Sequence, residues 1–229
     1  MAQRADEAVR GSKGEHDSER SRDRILAAAL EEFASKGFEG TTTAEIARRA
    51  GVTQPLVHYH FESKDELWRT TVLHLLDAAE ATFGGVLAEL SDLDHLDKLK
   101  VLVRRLVYFS ATHPEFGRIL AYEGAKGGER LSWLLAQQPA SEARLFVELL
   151  ESAAQEGVLK PLPMAHVAAC IGAASAYVFV IREMMRTVYG IDVDDPTVID
   201  AHANTVVELF FHGMTVEDAS ARSGTKGAA

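Results

Sequence analysis

From Gly37 to Leu67 the sequence reads GFEGTTTAEIARRAGVTQPLVHYHFESKDEL, and this stretch is the tightest constraint on the fold. Its signals mark two helices of roughly eight residues each, joined by a turn at Gly51 and Val52. Thr43, Ile46, Ala47 and Ala50 make the first, capped by a threonine hydroxyl and ended by Gly51. Thr53 caps the second, with Pro55 in its first turn, where the missing amide hydrogen is not needed. Helices this short are marginal alone and need a third to cover their apolar faces. That helix precedes them: from Arg20 to Lys36, Ile25, Leu26, Ala29, Leu30 and Phe33 recur at three and four, and Gly37 offers a left-handed stop. Ile46, Ala47, Val52, Val57 and Phe61 fit inward positions against Leu26, Leu30 and Phe33. Ser63 starts a fourth helix, with Asp65 and Glu66 at its positive end, expected to run to about Leu90 with a bend at Gly84 and Gly85.

The positions left facing outward on the third helix are Gln54, Pro55, Leu56, His58, Tyr59 and His60, with Lys64 just beyond. These are hydrogen-bonding, flat or basic groups, which suit a helix that enters a major groove. Glutamine pairs bidentately with adenine, and Pro55 and Leu56 offer apolar contact to a thymine methyl. Thr43, Tyr59, His60 and Lys64, at helix starts and flanks, suit phosphate contacts that fix the register, and Thr53 belongs to the same candidate interface.

On Ile25 and Phe33, GF at Gly37 and Phe38, TTTAEIA at 41–47, AGV at 50–52 and YHFESKDEL at 59–67, residues 20–67 resemble the DNA-binding domain of the TetR family of bacterial transcriptional regulators. The resemblance implies an all-α protein with an N-terminal three-helix helix-turn-helix head and a C-terminal helical body for effector binding and dimerisation. Carried over by position, Gln54, Pro55 and Leu56 match base-facing residues, and Thr43, His58, His60 and Lys64 match backbone-contacting ones. His58 stands where the family usually places tyrosine, His60 where it often does, and Ala44 where some members carry a base-reading arginine.

The expected organisation is a disordered arm over 1–19, the head over 20–67, the body over 68–216 and a disordered tail over 217–229; both ends lack the large apolar side chains that offset ordering entropy. Helices are expected from about Leu96 to His113, Pro114 to Ala125, Glu129 to Ala136, Pro139 to Gln155, Pro163 to Val188 and Pro196 to His212. The formal charge of −10 argues against nucleic-acid binding over the whole surface, but residues 1–69 hold eleven Lys and Arg against thirteen Asp and Glu, so the acidity sits in the body. Pro163 to Ile181 runs without a formal charge and is rich in alanine and glycine, which lets helices approach closely. The family resemblance assigns the last two long helices to a four-helix dimer interface and implies an effector pocket in the body. Tyr108, His113, Phe116, Tyr122, Glu123, Trp133, Phe146, Tyr177 and Arg182 are its candidate lining, since aromatic walls with a few polar anchors make ligand sites; helical spacing gives the aromatics a core role as the alternative.

The nine histidines are scattered and the single cysteine, Cys170, has no ligand-spaced neighbours, so no metal is expected and no cofactor is implied. No nucleophile elbow, phosphate loop or dinucleotide fingerprint is present, so no enzymatic activity is expected. The uncharged run is alanine-rich rather than leucine-rich, which argues against a membrane span and places the chain in the cytoplasm. The expected partners are a palindromic double-stranded operator, a second copy of the chain and a small-molecule effector that releases the DNA. An activator, or a regulator without an effector, fits the same head; a helical small-molecule carrier or enzyme is the alternative from another class.

Overall fold

The computed structural model describes the backbone of residues 2–137 and 141–213, and the side chains of 17–137 and 144–213. The elements are α1 (Ala2–Gly40), α2 (Thr43–Ala50), α3 (Gln54–His60), α4 (Lys64–Phe83), α5 (Val86–Glu89), α6 (His95–Thr112), α7 (Pro114–Lys126), α8 (Glu129–Gln137), α9 (Ser141–Gln155), α10 (Met164–Val180), α11 (Arg182–Tyr189) and α12 (Pro196–Val207), continued by a π-helical turn over Glu208–His212. Among the described residues there is no strand. The all-α class follows from the helical spacing of apolar residues throughout.

Three boundaries differ from the sequence expectation. Residues 2–19 are helical where the sequence suggests a disordered arm, because a helix nucleated at the buried Ile25 and Ala29 propagates outward without a new nucleus. The tail expected from 217 lies outside the described residues. α4 stops at Phe83, where Gly85 turns left-handed at φ 73 and opens α5. The helix expected over 163–188 breaks at Ile181 into α10 and α11, bent by 73°. No proline or glycine marks that break. The β-branched Val178, Val180 and Ile181 weaken the helix there, and ion pairs from Arg182 to Asp194 and from Arg186 to Asp192 hold α11 in its own direction. Among the described residues no single helix is long and apolar enough to cross a membrane.

The chain divides into two compact units, and the division does not follow chain order. The first unit combines Met1–Ala78 with Arg118–Gln137. Its core holds Ile25, Ala29 and Phe33 of α1, Ile46 and Ala47 of α2, Val57 of α3, and Leu67, Trp68 and Val72 of α4, all buried as the apolar pattern requires. Each of the larger of these side chains contributes about 1.5–3 kcal/mol. Leu30 and Val52 are half-buried at its edge. Leu134 of α8 and Ile119 of α7 are buried as well, and Trp133 stands 5.5 Å from Trp68 between ring centroids.

The second unit combines Ala79–Gly117 with Gln138–Ala229. Leu99, Val103 and Val107 of α6, Leu150 and Ala153 of α9, Met164, Val167, Ile171 and Phe179 of α10, and Ala203 and Val206 of α12 form one buried cluster. The opposite side of α10 leaves Ala165, His166, Ala169, Cys170, Ala173 and Tyr177 exposed.

Candidate nucleic-acid interface

The candidate interface is built on a scaffold whose polar groups are largely paired. Thr42, not Thr43, caps α2: its hydroxyl accepts from the Glu45 amide at 3.2 Å, and Glu45 returns a bond to the Thr42 amide, a reciprocal capping box. At the other end Gly51 adopts φ 63, and the Arg24 guanidinium of α1 donates to the carbonyls of Ala50 and Gly51, at 2.9 Å from Nε to Ala50. A cation on the last carbonyls of a helix is stabilising twice, by hydrogen bonds and by the dipole. Ser63 caps α4 through the Glu66 amide at 3.0 Å. Thr53 precedes α3 in extended geometry without a side-chain cap, and Pro55 lies in the first turn of that helix.

On this scaffold the predicted interface residues separate into two groups. Gln54, Pro55, His58 and Tyr59 are exposed, Tyr59 by 76%, together with Thr53, while Leu56 and Thr43 are half-exposed. Gln54 Nε2 donates to Thr43 Oγ1 at 3.1 Å, so the α2 threonine and the α3 glutamine are brought together and the amide is oriented before any partner arrives.

His60 and Lys64 also make contacts within the head. His60 Nε2 lies 3.0 Å from Ser21 Oγ of α1, half-buried. Burial, and secondarily the nearby Arg22, lower its pKa, and the contact with Ser21 joins α3 to α1. Lys64 Nζ donates to the Phe38 carbonyl at 2.8 Å and the Thr41 carbonyl at 2.9 Å, and sits 4.2 Å from the Phe38 ring centroid. Two of its three donors are therefore spent holding the corner between α1 and α2. The helical period alone assigns both residues outward; the long-range partners that draw them inward leave no mark in the local pattern.

The nine predicted pocket residues are divided between the two units. Tyr122, Glu123 and Trp133 belong to the first unit, and the other six to the second. Tyr122 lies against Gly37, and a β-carbon placed there would be 2.1 Å from the ring. Glu123 is buried with Arg130 Nε at 3.4 Å, and Arg130 in turn reaches Glu39 at 2.7 Å and lies 4.0 Å from the Phe38 ring centroid. In the second unit the Tyr108 hydroxyl donates to Asp200 of α12, which raises its pKa, and Phe146 packs on the core cluster. Arg182 pairs with Asp194 at 3.4 Å, and Tyr177 is 58% exposed. Only His113 and Phe116 come together, both around Phe109 at 4.9 and 5.5 Å, with Phe83 on the same ring at 5.6 Å. Phe83 and Phe109 were not singled out by the sequence, because a phenylalanine on a helical stripe carries no signal beyond core. Among the described residues no group of three or more His, Cys, Asp or Glu is placed to hold a metal ion.

With this geometry in hand, comparison with known proteins is decisive at the level of family. Residues 25–70 match the model described as bacterial regulatory proteins, tetR family, and residues 96–210 match the tetracyclin repressor-like C-terminal domain. The chain is similar to the HTH-type transcriptional regulator RutR of Escherichia coli, 24% identical over 194 residues that cover 83% of this chain and 88% of RutR. It is also similar to the HTH-type transcriptional repressor NicS of Pseudomonas putida, 30% identical over 111 residues that cover 48% of this chain and 51% of NicS. A crystal structure of AibR in complex with isovaleryl coenzyme A and operator DNA shares the fold, with a TM-score of 0.65 at 18% identity over 83% of this chain and 98% of AibR. The two family models together span most of the chain, the first over the helix-turn-helix and the second over the helical body, and the chain belongs to the tetR family of bacterial regulatory proteins.

Proposed function

We propose that this protein is a cytoplasmic transcriptional repressor that binds a two-fold operator as a homodimer and releases it when a small molecule occupies the body. The observation that carries the DNA-binding part is the exposed face of α3, where Gln54, Pro55, His58 and Tyr59 stand clear of a head whose other polar groups are largely paired internally. One head reads too little sequence to select a genomic site, and two-fold pairing of heads doubles it. The exposed, small-residue side of α10 offers a close-packing surface for the second copy. The name of NicS as a repressor, and the joint presence of a ligand and operator DNA with AibR, support repression with effector release. The effector acts by binding one body conformation better than the other, and about 1–3 kcal/mol of coupling is enough to change operator occupancy.

The test is fluorescence anisotropy of the full chain on DNA flanking its own gene, against random duplex as competitor. Saturable, competitor-resistant binding with two chains per site is expected. Gln54→Ala is expected to narrow the gap between operator and random DNA by about 1–3 kcal/mol, leaving random-duplex affinity nearly unchanged. Equal losses on both duplexes remove Gln54 as a base reader. Operator position relative to the promoter separates repression from activation.

A further inference from the structure

Gln54, the candidate base reader of α3, is tied to α2 by one hydrogen bond. Its Nε2 donates to Thr43 Oγ1 at 3.1 Å, and among the described residues neither side chain makes another hydrogen bond. Thr43 opens α2 and Gln54 opens α3, and α1 fixes both helices. Lys36 bonds Glu45 of the α2 cap at 2.9 Å, Arg24 holds the carbonyls that end α2, and Ser21 meets His60 at the far end of α3 at 3.0 Å. The Thr43 hydroxyl therefore stands on a fixed frame, and the flexible member of the pair is the glutamine, whose long side chain is costly to order.

What this bond leaves over decides what Gln54 can read. A primary amide carries two hydrogens on nitrogen and an acceptor oxygen. With one hydrogen on Thr43, an N–H and Oε1 remain side by side, without partners among the described residues. Adenine presents the complementary acceptor and donor, N7 and the N6 amino group, in the major groove. A threonine hydroxyl also donates, so an amide turned over would rest Oε1 on Thr43 and send two donors outward, which suit N7 and O6 of guanine. The observed orientation, with Nε2 on the hydroxyl, is the adenine one.

Resting on the DNA-binding reading above, we infer that Thr43 is a positioning residue for sequence readout: it holds the Gln54 amide in the orientation that selects adenine over guanine. An amide oriented beforehand loses less freedom on binding, and loses it only in the pose that fits one base. Thr43 as a direct phosphate contact would instead raise affinity for every sequence alike.

The experiment starts from the site that the full-length protein selects out of a random-sequence duplex pool. Anisotropy is then measured on versions of that site carrying each base pair in turn at the position where Gln54→Ala removes the preference. The parent is expected to prefer A·T there. Thr43→Val keeps the shape and loses the hydroxyl, and is expected to cut that preference on the order of five-fold, as one hydrogen bond of ordinary net strength implies. Preferences elsewhere and random-duplex affinity should stay as in the parent. Thr43→Ser should keep the preference, and in the Gln54→Ala background Thr43→Val should have no further effect at that position. If Gln54→Ala removes the preference while Thr43→Val leaves it, or weakens all sequences alike, this inference is overturned alone. A parent that prefers G·C at that position overturns it as well. If Gln54→Ala alters no position, or the parent binds no duplex, the reading above falls and this inference with it.

Discussion

Gly37→Ala is expected to destabilise the first unit by on the order of 4 kcal/mol, a large part of the stability of an ordinary domain. Two costs add. Gly37 holds φ 70 and ψ 175, a region that side chains with a β-carbon avoid, in place of the left-handed stop that the sequence suggests. A β-carbon there would also fall 2.1 Å from Cζ of Tyr122 and 2.5 Å from its two ε carbons, so the phenol ring must leave. The Thr41 hydroxyl bridges the Glu32 carbonyl at 3.1 Å and the Gly37 carbonyl at 2.8 Å, which leaves the corner little room to relax. Urea unfolding of the full chain measures the loss. Adding Tyr122→Ala removes the overlap but not the dihedral cost, so the double variant should recover roughly half of the loss relative to Tyr122→Ala alone. A Gly37→Ala protein as stable as the parent would mean that the corner is not built as described.

Glu32→Gln is expected to cost about 2 kcal/mol at neutral pH, below the 3–5 kcal/mol of a fully buried pair because Lys36 and Arg49 are each partly in water. The carboxylate is 1% exposed, with Lys36 Nζ and Arg49 Nε each at 2.7 Å. The Lys36 hydrogen bond, helped by Arg49 and opposed by burial, holds its pKa below the usual 4.5. A carboxyl depressed on folding contributes stability that is complete above its unfolded value and disappears as pH falls through the folded one. The gap between parent and variant should therefore be full at pH 7 and close progressively below about pH 4.5. Chemical unfolding at both ends of that range reads the gap directly, and a gap independent of pH would deny the ion pair its role.

What the sequence displays and what it conceals divide along a physical line. Stops and starts written in local chemistry are legible: Gly51 after α2, Ser63 before α4, and Pro114 and Pro196 at the first positions of α7 and α12 stand where their dihedral and hydrogen-bonding preferences put them. So is the inward set of Ile46, Val57 and Phe61, because periodicity encodes burial. Partners distant in sequence are not encoded in this way. Nothing in the period of α3 distinguishes His58, which is exposed, from His60, which bonds Ser21, until α1 is laid across it. The bend at Ile181 escapes for a related reason, since it is held by Asp192 and Asp194 beyond the helix rather than by a breaker within it. Aromatic content likewise predicts burial and not which unit the burial serves.

The split sequence of the first unit has a consequence for how such regulators can be recombined. Trp133 covers Trp68, Tyr122 fills the space beside Gly37, and Arg130 joins Phe38 to Glu39, so part of the wall behind the reading helix is encoded more than forty residues downstream of that helix. A chimera cut after Ala78 would carry α2 and α3 to a foreign body yet leave Phe38 and Trp68 against side chains never selected to meet them. A graft that takes 118–137 along with 1–78 transfers a finished module. Exchange of reading heads between relatives is thus a two-crossover event, and single-crossover hybrids should lose solubility before they lose sequence preference.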